Sequence, residues 1–322
     1  MNRRDLLACA AWPATAIAQS ERPISLVVPY APGGITDMLR RLLAQEMAPL
    51  LGRAIMVEHL PGAGSGLGAT HVARATPDGS TLLLATSTTL AINPWIYPKL
   101  AYDPIKDFAP IGMIGAVPLC VVVPAALAVR DVAELVAASN ARADGLAFGS
   151  AGNGSPQHLA AELFKAATGA RLTHVPYKGS APAVVDLLAG RLDVMFSDMP
   201  PVLPHLNSGR LRALAVTSAR RQRVLPQVPT VSESGVAGTR DYDAVAWQAL
   251  VAPAGTPHER VQRAADALRA VLTRAALRER LEAEGIEPRP GSPDELATSV
   301  RTDSERWGRL IRSRLADMPA PG

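Results

Sequence analysis

Cysteine is nearly absent from this sequence. The 322 residues include two, Cys9 and Cys120. Cys9 falls in a segment that reads as a removable leader, so the mature chain keeps Cys120 alone. That excludes an internal disulfide and a cysteine metal cluster. A chain of this length buries an ample core without either. Aromatic residues are also scarce, at 4%, and Ala, Leu and Val carry the apolar content. A strong excess of one charge is missing as well. The 33 Lys and Arg stand against 29 acids, a formal net charge of +4 scattered along the chain. The one basic cluster, Arg220-Arg221-Gln222-Arg223, reads as a solvated loop, and no nucleic-acid partner is expected.

Reaction chemistry is missing too. The histidines at 59, 71, 158, 174, 205 and 258 include no pair at i, i+4, and no HExxH occurs. No nucleophile elbow of the form G-x-S-x-G is present. Ser155 reads as a helix cap, and His158, one turn on, as a side chain that packs or bonds locally. These absences predict a binding protein rather than an enzyme, with no cofactor and no metal.

One long uncharged run exists, the 19 residues Ile111 to Val129. It is just long enough to span a bilayer. Pro118 and Pro124 interrupt it, and Leu119–Val123 at its centre is rich in β-branched residues, so a buried strand between turns is expected. The first 18 residues, "MNRRDLLACAAWPATAIA", read as a secretory signal peptide: Arg3-Arg4, an apolar stretch, then Ala16-Ile17-Ala18 as a small-residue cleavage site. The Arg pair also resembles a twin-arginine export signal. The chain is therefore expected to be exported, with the signal removed.

Short apolar runs alternate with helical patterns over most of the remaining length. Strands are expected at Ile24–Pro29, Ile55–Glu58, Leu82–Ala85, Leu119–Val123, Leu146–Gly149, Leu172–Val175, Val194–Phe196, Leu211–Val216 and Ala249–Ala252. Met38–Leu51 carries apolar residues at helical spacing. Such alternation builds βαβ units with mostly parallel sheets, an α/β fold. Thr256-Pro257-His258-Glu259 and Ser292-Pro293-Asp294-Glu295 both read as capping boxes. The length suggests about two domains.

Two glycine loops carry the functional signal. In "PYAPGGITD" a strand ends at Pro29, Gly33-Gly34 turn the chain, and a helix starts near Ile35–Asp37. The first N–H groups of a helix have no internal partner. Without side chains on the two glycines, an anion or polar oxygen can approach those amides closely. Asp37 in the first turn suits the helix dipole. "LAFGSAGNGSPQHLAAELF", residues 146–164, repeats this grammar with Gly149, Gly152 and Gly154. Ser150, Asn153 and Ser155 add side-chain hydrogen-bonding groups, and Ser155 precedes Pro156 as an N-cap. Two such loops in different halves of a two-domain chain suggest a pincer, each domain offering a helix start to one cleft. Neither loop holds Arg or Lys, so amides and hydroxyls would hold the ligand, which suits reversible binding of a carboxylate. A third stretch, Gly64-x-Gly66-x-x-Ala69, fits a dinucleotide fingerprint formally. It lacks an acid about twenty positions on, and reads as a turn leading to a helix, with a rim contact to the ligand as the other reading.

These segments, together with "VEHLPGAGSGLGATHVARATPDGSTLLLATS", "AINPWIYPKLAYDPIKDFAPIG", "HVPYKGSAPAVVDLLAGRLDVMF", "LRALAVTSARR", "LPQVPTVSESG" and "LVAPAGTP", resemble the Bug-type solute-binding proteins of tripartite tricarboxylate transporters over essentially the whole mature chain. The resemblance implies a periplasmic protein with a two-lobed type II periplasmic-binding-protein fold, each lobe a mostly parallel sheet flanked by helices. Lobe 1 is expected to comprise residues 21–122 and 245–322, and lobe 2 residues 123–244, with crossovers near Val123 and Tyr242–Trp247. The family's ligand carboxylate is held by the two glycine loops, partly through ordered waters. Carried over by position, the expected ligand-binding residues are Tyr30, Pro32, Gly33, Gly34, Thr36 and Asp37 in one loop. Ser150, Ala151, Gly152, Asn153, Ser155 and Gln157 form the other. Ser87 and Thr88 belong to a third loop, Thr86–Thr89, and Tyr177, Ser197 and Asp198 complete the set. Two departures from the family pattern matter. Thr88 and Leu90 stand where a glycine and a His or Asn are common, which implies a less polar distal pocket. Ser197-Asp198 replaces Asp-Asn, which shifts preference away from amino-acid ligands unless Asp198 or Asp37 supplies the carboxylate their ammonium needs. Lys178, beside a turn, reads as a surface residue. The implied partners are a small organic carboxylate and the membrane subunits of a transporter, with the protein itself a monomer. A sensory role, presenting the ligand to a membrane receptor, is the alternative.

Overall fold

The structure is a computed structural model that describes residues 22–314. The expected signal peptide lies outside the described residues. Ten strands are ordered as β1 Ile24–Val28, β2 Ile55–His59, β3 Thr81–Thr86, β4 Phe108–Pro124, β5 Leu146–Ser150, β6 Leu172–Pro176, β7 Val194–Asp198, β8 Leu211–Val216, β9 Val245–Pro253 and β10 Glu287–Pro288. The helices are α1 Ile35–Leu51, α2 Gly66–Ala73, α3 Asn93–Ile96, α4 Val132–Ala141, α5 Pro156–Thr168, α6 Ser180–Leu188, α7 Leu203–Asn207, α8 His258–Leu272, α9 Ala275–Ala283 and α10 Pro293–Arg314.

The fold is α/β and two-lobed. Strands run in the order β2-β1-β3-β9-β4-β7-β5-β6, with β8 and β10 also paired to β4. Parallel pairs lie toward the two ends: β1 with β2 and β3, and β5 with β6 and β7. Antiparallel pairs gather on β4 and β9. Each parallel step is closed by a helix, as the alternation of periods two and 3.6 demands.

Strand β4 differs from expectation. Instead of a short strand between turns, it runs 17 residues. Its prolines are tolerated for local reasons. Pro110 sits at a register shift against β9, and proline is admitted at such irregularities because no ladder donor is lost there. Pro118 is the last residue paired with β9, and Leu119 the first paired with β7. One strand thus serves both halves of the sheet.

The apolar core follows the same division. Leu26, Leu39, Leu84, Leu250 and Leu268 belong to a cluster under α1 and α8. A second cluster on the other face includes Val27, Leu83, Trp247 and Trp307, and the Trp247 indole N–H donates to Asp303, tying α10 to β9. Phe148, Phe164, Phe196 and Tyr242 centre the third cluster, while Cys120, Met195 and Leu187 lie in the fourth. Burial pushes the Cys120 thiol up to about 12, so it is inert.

Thr217 joins the two strands that pass between these clusters. Its hydroxyl accepts from the Leu119 N–H at 2.9 Å and donates to the Ala244 carbonyl at 2.7 Å. Its own N–H and C=O bond Leu119 and Ala244 again, each at 2.9 Å. Of the two capping boxes, Ser292–Glu295 forms as expected, with Oγ and carboxylate each meeting the other residue's N–H. The Thr256 one does not. Pro257 is the N-cap of α8, and the Thr256 hydroxyl donates back to the Pro253 carbonyl instead.

Candidate functional site

Three helix starts meet in a cleft. The first belongs to α1. Gly34 is its N-cap and offers no side-chain cap, and its carbonyl accepts from Asp37 and Met38. Gly33 has φ +98°, a left-handed value that glycine adopts without strain. A Cβ built there would lie 2.8 Å from the Ala181 Cβ. The β1–α1 loop therefore touches the start of α6 directly.

The second start is that of α5. Ser155 accepts from the His158 N–H at 3.3 Å, the N-cap bond that the sequence predicts. Behind this loop two histidines stack, His158 on His174, with ring centroids 3.9 Å apart and planes 8° off parallel. His174 Nε2 lies 2.6 Å from Ser150 Oγ, and the Gly154 N–H donates to His158 Nδ1 at 3.0 Å. Burial lowers the His158 pKa to about 3, helped by the charges of His174 and Lys165, and lowers His174 to about 4. Both rings are therefore neutral near pH 7, and His158 Nδ1 keeps the lone pair that the Gly154 N–H needs. The glycine loop is shaped from behind by aromatic nitrogen.

The third start is that of α6, after Gly179 at φ +144°. Ser180 Oγ donates to Asp198 Oδ2 at 2.8 Å, and Gln157 Nε2 donates to Asp198 Oδ1 at 2.7 Å and to Ser180 Oγ at 3.2 Å. The Ile35 amide, across the cleft on α1, also stabilises the charged form of Asp198. Burial, the largest effect, nonetheless holds the Asp198 carboxyl above its ordinary range.

The cleft is nearly shut as it stands, with a cavity of about 20 Å³, room for about one water. Of the residues expected at the site, it brings together Tyr30, Gly34, Thr36, Ala151, Gln157 and Asp198. Ala31, Ile35, Thr86 and Pro156 join them from the same loops, and Val117, Gly179, Ser180, Ala246 and Gln248 from elsewhere. Ser180, at the start of α6, was not among the residues expected there. Val117, Ala246 and Gln248 sit on β4 and β9, where nothing in the local sequence marks them.

Other expected residues are placed differently. Asp37 is buried and paired with Arg40 at 2.5 Å and Arg41 at 2.7 Å. Burial pushes its carboxyl up, and the two guanidiniums outweigh this and leave it low. Ser150 and Ser155 are buried and serve the loop itself. Pro32, Gly152 and Asn153 stand outside the lining. Gly152 crosses at φ +126°, and a Cβ on Gly64 would meet the Asn153 carbonyl at 2.7 Å. The Gly64 stretch thus packs against the α5 loop and leads into α2, as its reading as a turn before a helix expects. Ser87 and Thr88 are buried, and the Thr88 hydroxyl has no partner. Tyr177 donates to Asp186 at 2.7 Å, and Ser197 donates to the Asp198 carbonyl. Lys178 is exposed.

A sequence profile described as "Tripartite tricarboxylate transporter family receptor" matches residues 39–315. The chain belongs to this receptor family. Protein BugT of Bordetella pertussis is 37% identical over 303 residues, 94% of this chain and 92% of that protein. Among solved structures, the R. palustris protein Rpa4515, described with adipate, matches at a TM-score of 0.87 with 36% identity, covering 91% of this chain and 97% of that one. MatC of Rhodopseudomonas palustris, described with bound malate, matches at 0.85 with 34% identity, covering 90% of this receptor and 99% of MatC. A third solved structure, described as that of the periplasmic binding protein BugD, matches at 0.86 with 34% identity, covering 91% of this receptor and 98% of BugD.

Proposed function

We propose that this receptor captures a small carboxylate-bearing solute outside the cytoplasm and delivers it to the membrane subunits of a tripartite tricarboxylate transporter. Lobe 1 comprises residues 22–118 and 245–314, and lobe 2 residues 119–244. The chain acts as a monomer and catalyses no reaction. A removable signal peptide over residues 1–18 directs its export. The hinge lies where β4 passes from β9 to β7, at Pro118–Leu119, and at Ala244–Val245, with Thr217 clasping both.

One observation carries the reading. The starts of α1, α5 and α6 face one cleft, and no Lys or Arg lines it among the described residues. Helix-start N–H groups, which lack intrahelical partners, favour an oxyanion there, each helix end adding ~0.3–1 kcal/mol, and the Ile35 amide and Ser180 hydroxyl among these groups already serve the Asp198 carboxyl in this way. Closing requires contacts that exist only with the lobes together, and a ligand touching Thr36 on one side and Gln157 on the other supplies them. The relatives described with adipate and malate agree with a small acid.

Calorimetry with the mature chain against a broad panel of mono-, di- and tricarboxylates tests this. At least one acid should bind and raise the melting temperature. The double substitution Ser150→Ala and Ser155→Ala should weaken binding by releasing the α5 loop. A panel in which no acid binds refutes the proposal.

A further inference from the structure

Asp198 is the one charged side chain lining the cleft among the described residues. It is 3% exposed and forms no ion pair among the described residues. Ser180, Gln157 and the Ile35 amide give it neutral donors only. A buried carboxylate is costly unless a positive charge or a proton compensates it. Beside it, Gln157 has committed its amide nitrogen to Asp198 and Ser180, which fixes the orientation of the group. The carbonyl end, Oε1, is buried and has no partner. Gln248, also buried and in the lining, has an unpartnered Oε1 too.

These groups share one need. Two free acceptors and a carboxylate lacking a counter-charge line a single cleft. A second carboxylate brought to them would meet like charge, and the two could not both stay ionised. A shared proton would ease that repulsion but would leave the Gln157 oxygen unpartnered. A protonated amine answers the whole set, because it brings one positive charge and three donors.

Resting on the carboxylate reading above, we infer that the ligand is zwitterionic, its carboxylate held by the helix starts and its ammonium by Asp198 and the Gln157 carbonyl oxygen. Asp198 is then the specificity-determining residue. The loss of a carboxylate at position 197 does not turn the receptor away from amines, since Ser197 points its hydroxyl into the backbone while Asp198 faces the cleft.

The test is calorimetry on the mature chain with matched triplets: an α-, β- or γ-amino acid, the same acid with hydroxyl for amine, and the same acid with hydrogen there. The amine member of at least one triplet should bind ten-fold or more tightly than both partners, and Asp198→Asn should reduce that gap below three-fold. Melting curves establish that the variant folds, and the wild-type comparison stands without it. Acids without an amine that bind as well as their amino partners, or a gap that survives in Asp198→Asn, overturn the inference while leaving the carboxylate reading intact. Binding by no member of any triplet, or of the wider acid panel, removes both.

Discussion

The stacked histidines behind the α5 loop make a prediction about acid. Each ring has an ordinary pKa of 6.5 in the unfolded chain and is held near 3 (His158) or 4 (His174) in the fold. A depressed pKa means that the unfolded state takes up protons first as pH falls. The contribution to stability is therefore full above pH 6.5 and is lost progressively as pH drops toward 4 and then 3. At pH 5 the unfolded chain gains about 2 kcal/mol from protonating His158, by linkage at 1.36 kcal/mol per pH unit. His174, also still neutral in the fold at pH 5, would give the same by linkage, but solvent screening of its less buried ring discounts this to about 1 kcal/mol, so the pair accounts for about 3 kcal/mol between pH 8 and pH 5. Carboxylates also titrate toward this range, so the assay compares urea unfolding of the wild type with that of His158→Gln/His174→Gln at both pH values. The wild type should lose about 3 kcal/mol more than the variant. Equal losses would refute the assignment of neutral, load-sharing rings, and with it the view that the Gly154 N–H is held by His158.

Further outcomes follow from single contacts. Gly33→Ala adds a Cβ at φ +98° that lies 2.8 Å from the Ala181 Cβ across the cleft. It should lower stability by about 1–2 kcal/mol and weaken the best ligand in calorimetry by ten-fold or more, because the clash exists only with the lobes together. Thr217→Val leaves the Leu119 N–H without its hydroxyl partner, and chemical denaturation should show a loss of about 1–3 kcal/mol. Cys120, fully buried with a raised pKa, should react with a maleimide only in denaturant; labelling of the native chain would contradict its placement.

Much of the architecture was legible because it is local. Alternating apolar runs marked nine strands, and Ser155-Pro156 and Ser292–Glu295 marked helix starts that the structure forms. Non-local features were not. Pro118, one of the two prolines expected to bound a short strand, instead sits where β4 changes partner from β9 to β7, a fact fixed by β9, more than a hundred residues away, whereas Pro124 does end the strand. Thr256 had the sequence of a cap but found a nearer acceptor in Pro253. At the cleft, loop glycines and Asp198 could be singled out. Gln248 and Ala246 could not, because the antiparallel pairing of β9 with β4 alone brings them there. Asp37 looked like a first-turn ligand group, yet Arg40 and Arg41, one turn on, had the better geometry for it.

The central claim is that helix starts from both lobes grip one carboxylate. A crystal structure of the protein with an acid identified by calorimetry tests it most directly. The account predicts carboxylate oxygens within about 3 Å of backbone N–H groups at the starts of α1 and α5 together. An acid seated against one lobe alone would contradict it.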